Sequence, residues 1–279
     1  MISLLPPRPT IEAVPSRPAA FFDLDKTIIA RSSTLAFTRP FGKAGLLNRR
    51  AVLRSAYAQL VYVMNGADHD QLERMRAYLS EMVTGWDVDQ VRAVVAETLH
   101  DLIDPMVFAE AAELIEQHQA LGHDVVIVST SGTEVVEPIG EMLGADHVIA
   151  TRMVVEDGRY TGGIDYYAYG PTKAEAIREL ASSHGYDLAA SSAYSDSFTD
   201  LPMLEAVGHP HAVNPDKALR KVAEEREWPI LLFARPVALR RRFPGADATP
   251  QQKAAAAAFV SAAAAGIVWY ARRRSRVAG

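Results

Sequence analysis

The spacing of apolar positions changes along this chain, and each change predicts a different element. Ala19–Asp23 (AAFFD) is a short continuous apolar run that starts after Pro18 and ends in an acid, the pattern of a buried strand. From about Lys43 to His100 the spacing becomes helical. Leu46, Leu47, Leu53, Tyr57, Leu60 and Val61 recur at close to 3.6 residues, and Leu72, Met75, Leu79 and Val83 resume the pattern after a break at Asn65-Gly66. Val88, Val91, Val95, Leu99 and Leu102 predict another helix, with Asp87 as its N-cap. No strand is expected in this block.

Strands and helices alternate afterwards. Helices are expected at 108–121, closed by Gly122, and at 134–143, 172–184, 201–207 and 217–226. Strands are expected at 124–128 (DVVIV), 147–150, 193–195, 211–213 and 229–233. The runs 153–155 and 160–162 read as a hairpin turning on Asp157-Gly158. Such alternation predicts an α/β fold with a mostly parallel sheet covered on both faces, interrupted after its first strand by a helical insert.

Composition narrows the function classes. The chain has 279 residues, of which 49% are hydrophobic, which excludes a wholly disordered protein. A net charge of −5 gives no basic footprint for nucleic acid as the main partner. The absence of cysteine excludes a disulfide framework, a zinc-thiolate site and a cysteine nucleophile, and fits a reducing cytoplasm. Residues 1–18 carry five prolines and read as an extended leader; Leu4 and Leu5 are too short an apolar run for a secretory signal. Residues 235–250 read as an Arg- and Pro-rich linker.

Residues 254–271 hold no formal charge in 18 positions, with Trp269 and Tyr270 near one end and Arg272, Arg273, Arg274 and Arg276 beyond. As a helix they would reach about 27 Å, just under a hydrocarbon core of roughly 30 Å. A membrane anchor, spanning or lying on the surface, is one reading; an alanine-rich helix docked on the domain is the other.

Two acidic clusters carry the candidate chemistry. In Phe21-Phe22-Asp23-Leu24-Asp25-Lys26-Thr27, two carboxylates stand two residues apart just past a buried strand. In open parallel sheets, ligands bind beyond the carboxyl ends of strands. A carboxylate there can attack phosphorus while a second protonates the leaving oxygen. The plain alternative is an acidic turn capped by Thr27. In Tyr194-Ser195-Asp196-Ser197-Phe198-Thr199-Asp200, two more carboxylates follow a short strand. With Asp23 they would form an oxygen-rich site suited to Mg²⁺; the alternative is a capped helix start. Ser129 at the end of DVVIV and Lys173 at a helix start are weaker candidates for holding phosphate.

The order of these motifs resembles the haloacid dehalogenase superfamily, and the wording FFDLDKT, VVIVS and YSDSFTDLPML resembles its subfamily IB, the branch containing phosphoserine phosphatases. The resemblance covers about 19–233. It implies a Rossmann-like parallel core at 19–30 and 106–233 with a helical cap at 31–105, preceded by the leader 1–18 and followed by a linker at 234–253 and the hydrophobic helix at 254–271. It implies a Mg²⁺-dependent phosphomonoesterase acting on a small phosphorylated substrate, which a membrane-proximal site would bias toward lipid-linked phosphates. Asp23 would be the nucleophile and Asp25 the general acid and base. Thr27 would support the first-motif loop or bind phosphate. Ser129 and Lys173 would bind the phosphoryl group. The metal ligands would be drawn from Asp23, Asp25 (through its carbonyl), Asp196 and Asp200, the last acting through water or as an orienter of Lys173. A phosphotransferase using the same aspartyl-phosphate, or a non-catalytic regulator on this scaffold, are the alternative functions.

One position departs from the pattern. Phosphoserine phosphatases typically carry an amine-binding glutamate nine residues beyond the nucleophile, where this chain has Ser32 flanked by Arg31, Ser33 and Thr34. A buried ammonium without a counter-charge is costly, so phosphoserine is not the expected substrate.

Overall fold

The computed structural model describes residues 17–47 and 80–236. Its centre is a seven-stranded sheet with strand order β4-β3-β2-β1-β5-β6-β7. The strands are β1 (Ala19–Asp23), β2 (Asp124–Gly132), β3 (His147–Glu156), β4 (Arg159–Tyr166), β5 (Ser192–Ser195), β6 (His209–Val213) and β7 (Ile230–Leu231). All neighbours are parallel except the β3–β4 hairpin, which turns at Asp157 and Gly158 with positive φ at both, as the Asp-Gly pair predicts. The expected α/β fold with a parallel core is therefore present.

Between β1 and β2 the described chain is helical: α1 (Ser33–Ala36), α2 (Thr38–Lys43) and α3 (Val88–Ile103), followed by a 3-10 turn and α4 (Ala109–Ala120). Asp87 caps α3 as the sequence predicts, its Oδ1 accepting from the Gln90 N–H at 3.1 Å. Past β2 come α5 (Thr133–Leu143), α6 (Pro171–His184), α7 (Leu201–Leu204) and α8 (Lys217–Glu225).

Several elements differ in extent from the sequence reading: β2 runs four residues past Val128 to Gly132, β4 covers 159–166, and β6 starts at His209. The strand from His147 runs unbroken into the hairpin because its partner β4 extends the ladder to Arg152–Tyr166. The helix from Leu201 stops at Leu204, short of Val207. The last strand shrinks to two residues at the sheet edge. Most of the helical pattern read over residues 48–79, the leader, most of the linker and the hydrophobic segment 254–271 lie outside the described residues. Among the described residues no helix is long and apolar enough to cross a membrane.

The strand alternation places two different cores on the two faces of the sheet. Phe21, Val126, Val128 and Ala193 face Ile177 and Ala181 of α6, Met203 and Leu204 of α7, and Leu219 and Ala223 of α8. On the other face, Phe22 stacks on Tyr194 with centroids 4.4 Å apart, and His118 of α4 meets both rings edge-on. The His118 Nε2 lies 2.8 Å from the Tyr194 hydroxyl, and burial followed by repulsion from His123 and His211 lowers its pKa to about 4.

Candidate active site

Strand register decides which side chains meet. β1 lies between β2 and β5, with Asp23 paired to Val128 and Phe22 paired to Tyr194. The chain leaves β1 toward β2 on one side and returns to β5 on the other, so the carboxyl end of β1 sits at a topological switch point, where open α/β sheets bind ligands. Asp23, Ser129 and Ser195-Asp196 are consequently brought to one level, although they are far apart in sequence.

The first-motif loop turns tightly after Asp23. The Leu24 carbonyl accepts from both Ile28 and Ile29 N–H at 3.0 Å, and Lys26 takes a positive φ of 64° to make the turn. The Ile28 carbonyl accepts from Phe108 N–H, and Ala30 N–H donates to the Met106 carbonyl, tying the loop to the start of α4. Thr27 is fully buried beneath it, and its hydroxyl has no hydrogen-bond partner. Such an orphan costs about 1–3 kcal/mol, which a ligand oxygen or water would relieve.

Lys173 reaches the site from the first turn of α6. Gly170, the N-cap, sits at φ 56°, ψ −123°, a conformation that side-chain-bearing residues rarely adopt. Lys173 is buried, and its Nζ donates to Asp23 Oδ1 at 2.7 Å and to Asp200 Oδ2 at 2.9 Å. Burial alone would lower its pKa; Asp200 and Asp23 reverse that and hold it above the ordinary lysine value. Burial likewise pushes Asp23 up, opposed by Lys173 and reinforced by Asp200 and Asp196.

Asp25 and Asp200 turn their carboxylates to other partners. Asp25 Oδ1 accepts from the Ser33 N–H at 2.8 Å, at the start of α1; burial raises its pKa, while hydrogen bonds from Ser33 and Ser32 counter the rise. Asp200 Oδ2 also accepts from Ser195 Oγ at 2.7 Å. Asp196 faces Lys26 Nζ at 4.0 Å and carries a pKa raised to about 7, first by burial, with Lys26 opposing and Asp200 adding to it. Ser129 is buried at a register shift in the β2–β3 ladder, where its Oγ accepts from the Ser131 N–H at 3.2 Å. Bulges of this kind re-aim side chains next to active sites.

The seven residues singled out from sequence thus lie at the carboxyl end of β1, in the last stretch of β2, on the loops that follow β1 and β5, or on the α6 start that meets them. Four supporting groups were not foreseen. Ser33 and Ser195 hold Asp25 and Asp200, and Ser131 joins Ser33 and Ser129. Asp216 accepts from Phe198 N–H at 2.9 Å while its own N–H donates to the Asp196 carbonyl, fixing the 196–198 loop against α8. Its one legible signal is its position one residue before an amphipathic helix, that of an N-cap.

The donor set decides what the site can hold. Asp23, Asp196 and Asp200 are buried, and among the described residues Lys173, bonded to Asp23 and Asp200, is the one buried lysine or arginine. Among the described residues no three acidic or histidine side chains converge in a geometry that would by itself hold a metal. The reason is visible: Asp25 is turned to Ser33, and Asp200 to Lys173 and Ser195. The carboxylates of Asp23 and Asp196 remain as oxygen donors.

The model of the family described as haloacid dehalogenase-like hydrolase matches residues 20–205. The chain is 66% identical over 266 residues to the inhibition of morphological differentiation protein of Streptomyces azureus, covering 94% of this chain and 96% of that protein. It is 60% identical over 269 residues to a probable phosphatase of Mycobacterium tuberculosis, covering 96% and 93%. Among solved structures, a Bordetella pertussis protein of unknown function superposes with a TM-score of 0.68 at 27% identity, over 77% of this chain and 98% of that one. The sheet order, the two acidic strand ends and these matches agree, and the chain belongs to the haloacid dehalogenase-like hydrolases.

Proposed function

We propose that this protein is a Mg²⁺-dependent phosphomonoester hydrolase working through an aspartyl-phosphate on Asp23. One observation carries the reading: three buried carboxylates stand at two adjacent strand ends, where, among the described residues, Lys173 is the buried cation and bonds only Asp23 and Asp200. That excess of negative charge fits a divalent cation held by the carboxylates of Asp23 and Asp196 with the Asp25 carbonyl. When bound, Mg²⁺ would offset the charge of the carboxylates and of the phosphoryl oxygens.

The chain's own groups supply the rest. Lys173 engages Asp23 Oδ1, which leaves Oδ2 as the attacking atom. As Oδ2 bonds to phosphorus, the bond to the ester oxygen breaks and Asp25 gives that oxygen its proton, a transfer favoured by the raised Asp25 pKa. Asp25, now ionised, takes a proton from water, which attacks phosphorus and releases Asp23 and inorganic phosphate. Ser129 and Lys173 hold the equatorial oxygens, where charge spreads in the transition state. Asp200 keeps Lys173 aimed at Asp23.

The relative named a probable phosphatase supports the reaction class. A panel of phosphomonoesters assayed for phosphate release tests it: activity should vanish with EDTA and return with Mg²⁺. Adding glycerol as a competing acceptor separates hydrolysis from transfer to an alcohol. Anchoring through 254–271 and a cytoplasmic location rest on the sequence alone. Salt-resistant pelleting of the full chain with membranes, lost on truncation at Pro250, would support the anchor.

A further inference from the structure

We propose that the substrate is the phosphomonoester of an apolar alcohol, whose alkyl or aryl body occupies a cavity between α2, α3 and the β3–β4 hairpin. This inference rests on the phosphatase reading above and adds the substrate class to it.

The cavity has a volume of about 180 Å³. Phe41, Met82, Val83, Trp86, Val135 and Met153 supply much of its wall. An apolar cavity of about 150 Å³ is enough to bind benzene, so a ring or a short alkyl chain fits this one. The serine and threonine hydroxyls that also line it, those of Thr34, Ser80, Thr130, Ser131 and Thr151, are engaged with one another or with main-chain carbonyls, so the hydroxyls of a sugar would lose their water for few replacement partners.

A chain of short contacts places the cavity beside the leaving group. Asp25, the proposed acid for the ester oxygen, is held by Ser33 N–H at 2.8 Å. Ser33 Oγ lies 2.8 Å from Ser131 Oγ, which in turn lies 3.0 Å from Thr34 Oγ1. Ser131 and Thr34 both line the cavity. An alcohol that leaves phosphorus as Asp25 protonates it would therefore have its carbon body directed past these hydroxyls onto the apolar wall.

Glu134 is the acidic group lining the cavity, and it is already engaged by the Tyr160 hydroxyl, with Arg92 close enough to act on that tyrosine. Around Asp25 the neighbours are the hydroxyls of Ser32 and Ser33 instead of a carboxylate. Among the described residues, neither end of the cavity offers an unengaged counter-charge for the ammonium of an amino-acid phosphate.

The experiment measures kcat/KM of the full chain with Mg²⁺ for methyl, butyl and hexyl phosphate, phenethyl phosphate and phosphoserine. Each buried methylene should raise kcat/KM by about two- to fourfold, so hexyl should exceed methyl phosphate by about 30-fold or more. Phenethyl phosphate should exceed methyl phosphate by a similar factor, and phosphoserine should not. Met153→Gln and, independently, Val83→Asn should each cut the hexyl-to-methyl ratio by about fivefold or more. A flat series with methyl phosphate turned over, or ratios unchanged in both variants, overturns the apolar substrate and leaves the phosphatase intact. No hydrolysis of any ester overturns both.

Discussion

The two ends of one parallel sheet both bury carboxylates, and they balance them differently. At the amino end, Asp124 opens β2 and accepts from Arg17 at 2.7 Å and from the Tyr186 hydroxyl, with His147 at 4.0 Å. At the carboxyl end, Asp23 and Asp200 are buried against Lys173, and Asp196 has, among the described residues, the exposed Lys26 at 4.0 Å. A closed set of partners needs nothing added. A surplus of buried anions is unfavourable in an empty site and is relieved by a cation, so the imbalance marks the end at which something binds. On the proposed function, the amino end is a structural fastening and the carboxyl end the working site.

The largest expected effect falls on the working end. Asp23→Asn should lower turnover by about 10³-fold or more, because an amide cannot attack phosphorus. Asp25→Asn should reduce kcat by ~10²–10⁴-fold with little change in KM, as expected for a group acting in the transition state. Comparable damage to KM alone would make Asp25 a binding residue.

Asp196→Ala sharpens the charge argument. It should raise the Mg²⁺ concentration needed for half-maximal activity by about tenfold or more. Superimposable Mg²⁺ titrations for this variant and the parent would remove Asp196 from the donor set.

The amino end should respond in the opposite manner. Asp124→Ala leaves the Tyr186 hydroxyl without its acceptor, and should cost about 1–3 kcal/mol of stability while kcat holds. Thermal unfolding and turnover measured on one preparation would show it; a large loss of kcat at unchanged stability would erase the distinction between the ends.

These two ends were not equally legible in the sequence. The acidic pairs at Asp23/Asp25 and Asp196/Asp200 stand out because each follows a short apolar run and so must lie at a strand end. Asp124 gives no such signal, because its partners Arg17 and Tyr186 are 107 and 62 residues away and meet it only through strand order. The same holds for Ser33 and Ser131, 98 residues apart, whose contact depends on α1 folding over the end of β2. β1 and the α3 cap could be read locally because burial and capping are local properties. The continuation of β3 and the short α7 could not, because they depend on the neighbours that the ladder and the packing supply.

The smallest effect lies at His118, packed on Phe22 and Tyr194. Its pKa of about 4 is below the ordinary value near 6.5, so the unfolded chain binds the extra proton more readily than the fold. Stability is therefore full above about pH 6.5 and falls as the pH drops toward 4, by about 1–2 kcal/mol. His118→Gln should flatten that slope in urea titrations between pH 7 and 4; an unchanged slope would assign the loss to other groups.

The most direct test of the working end is to trap its intermediate. Borohydride reduces an aspartyl-phosphate to homoserine. Enzyme quenched during turnover of a phosphomonoester with Mg²⁺, reduced and mapped by peptide mass spectrometry should carry homoserine at position 23, and none without substrate. Steady turnover with Asp23 recovered intact and homoserine absent would contradict nucleophilic catalysis by Asp23.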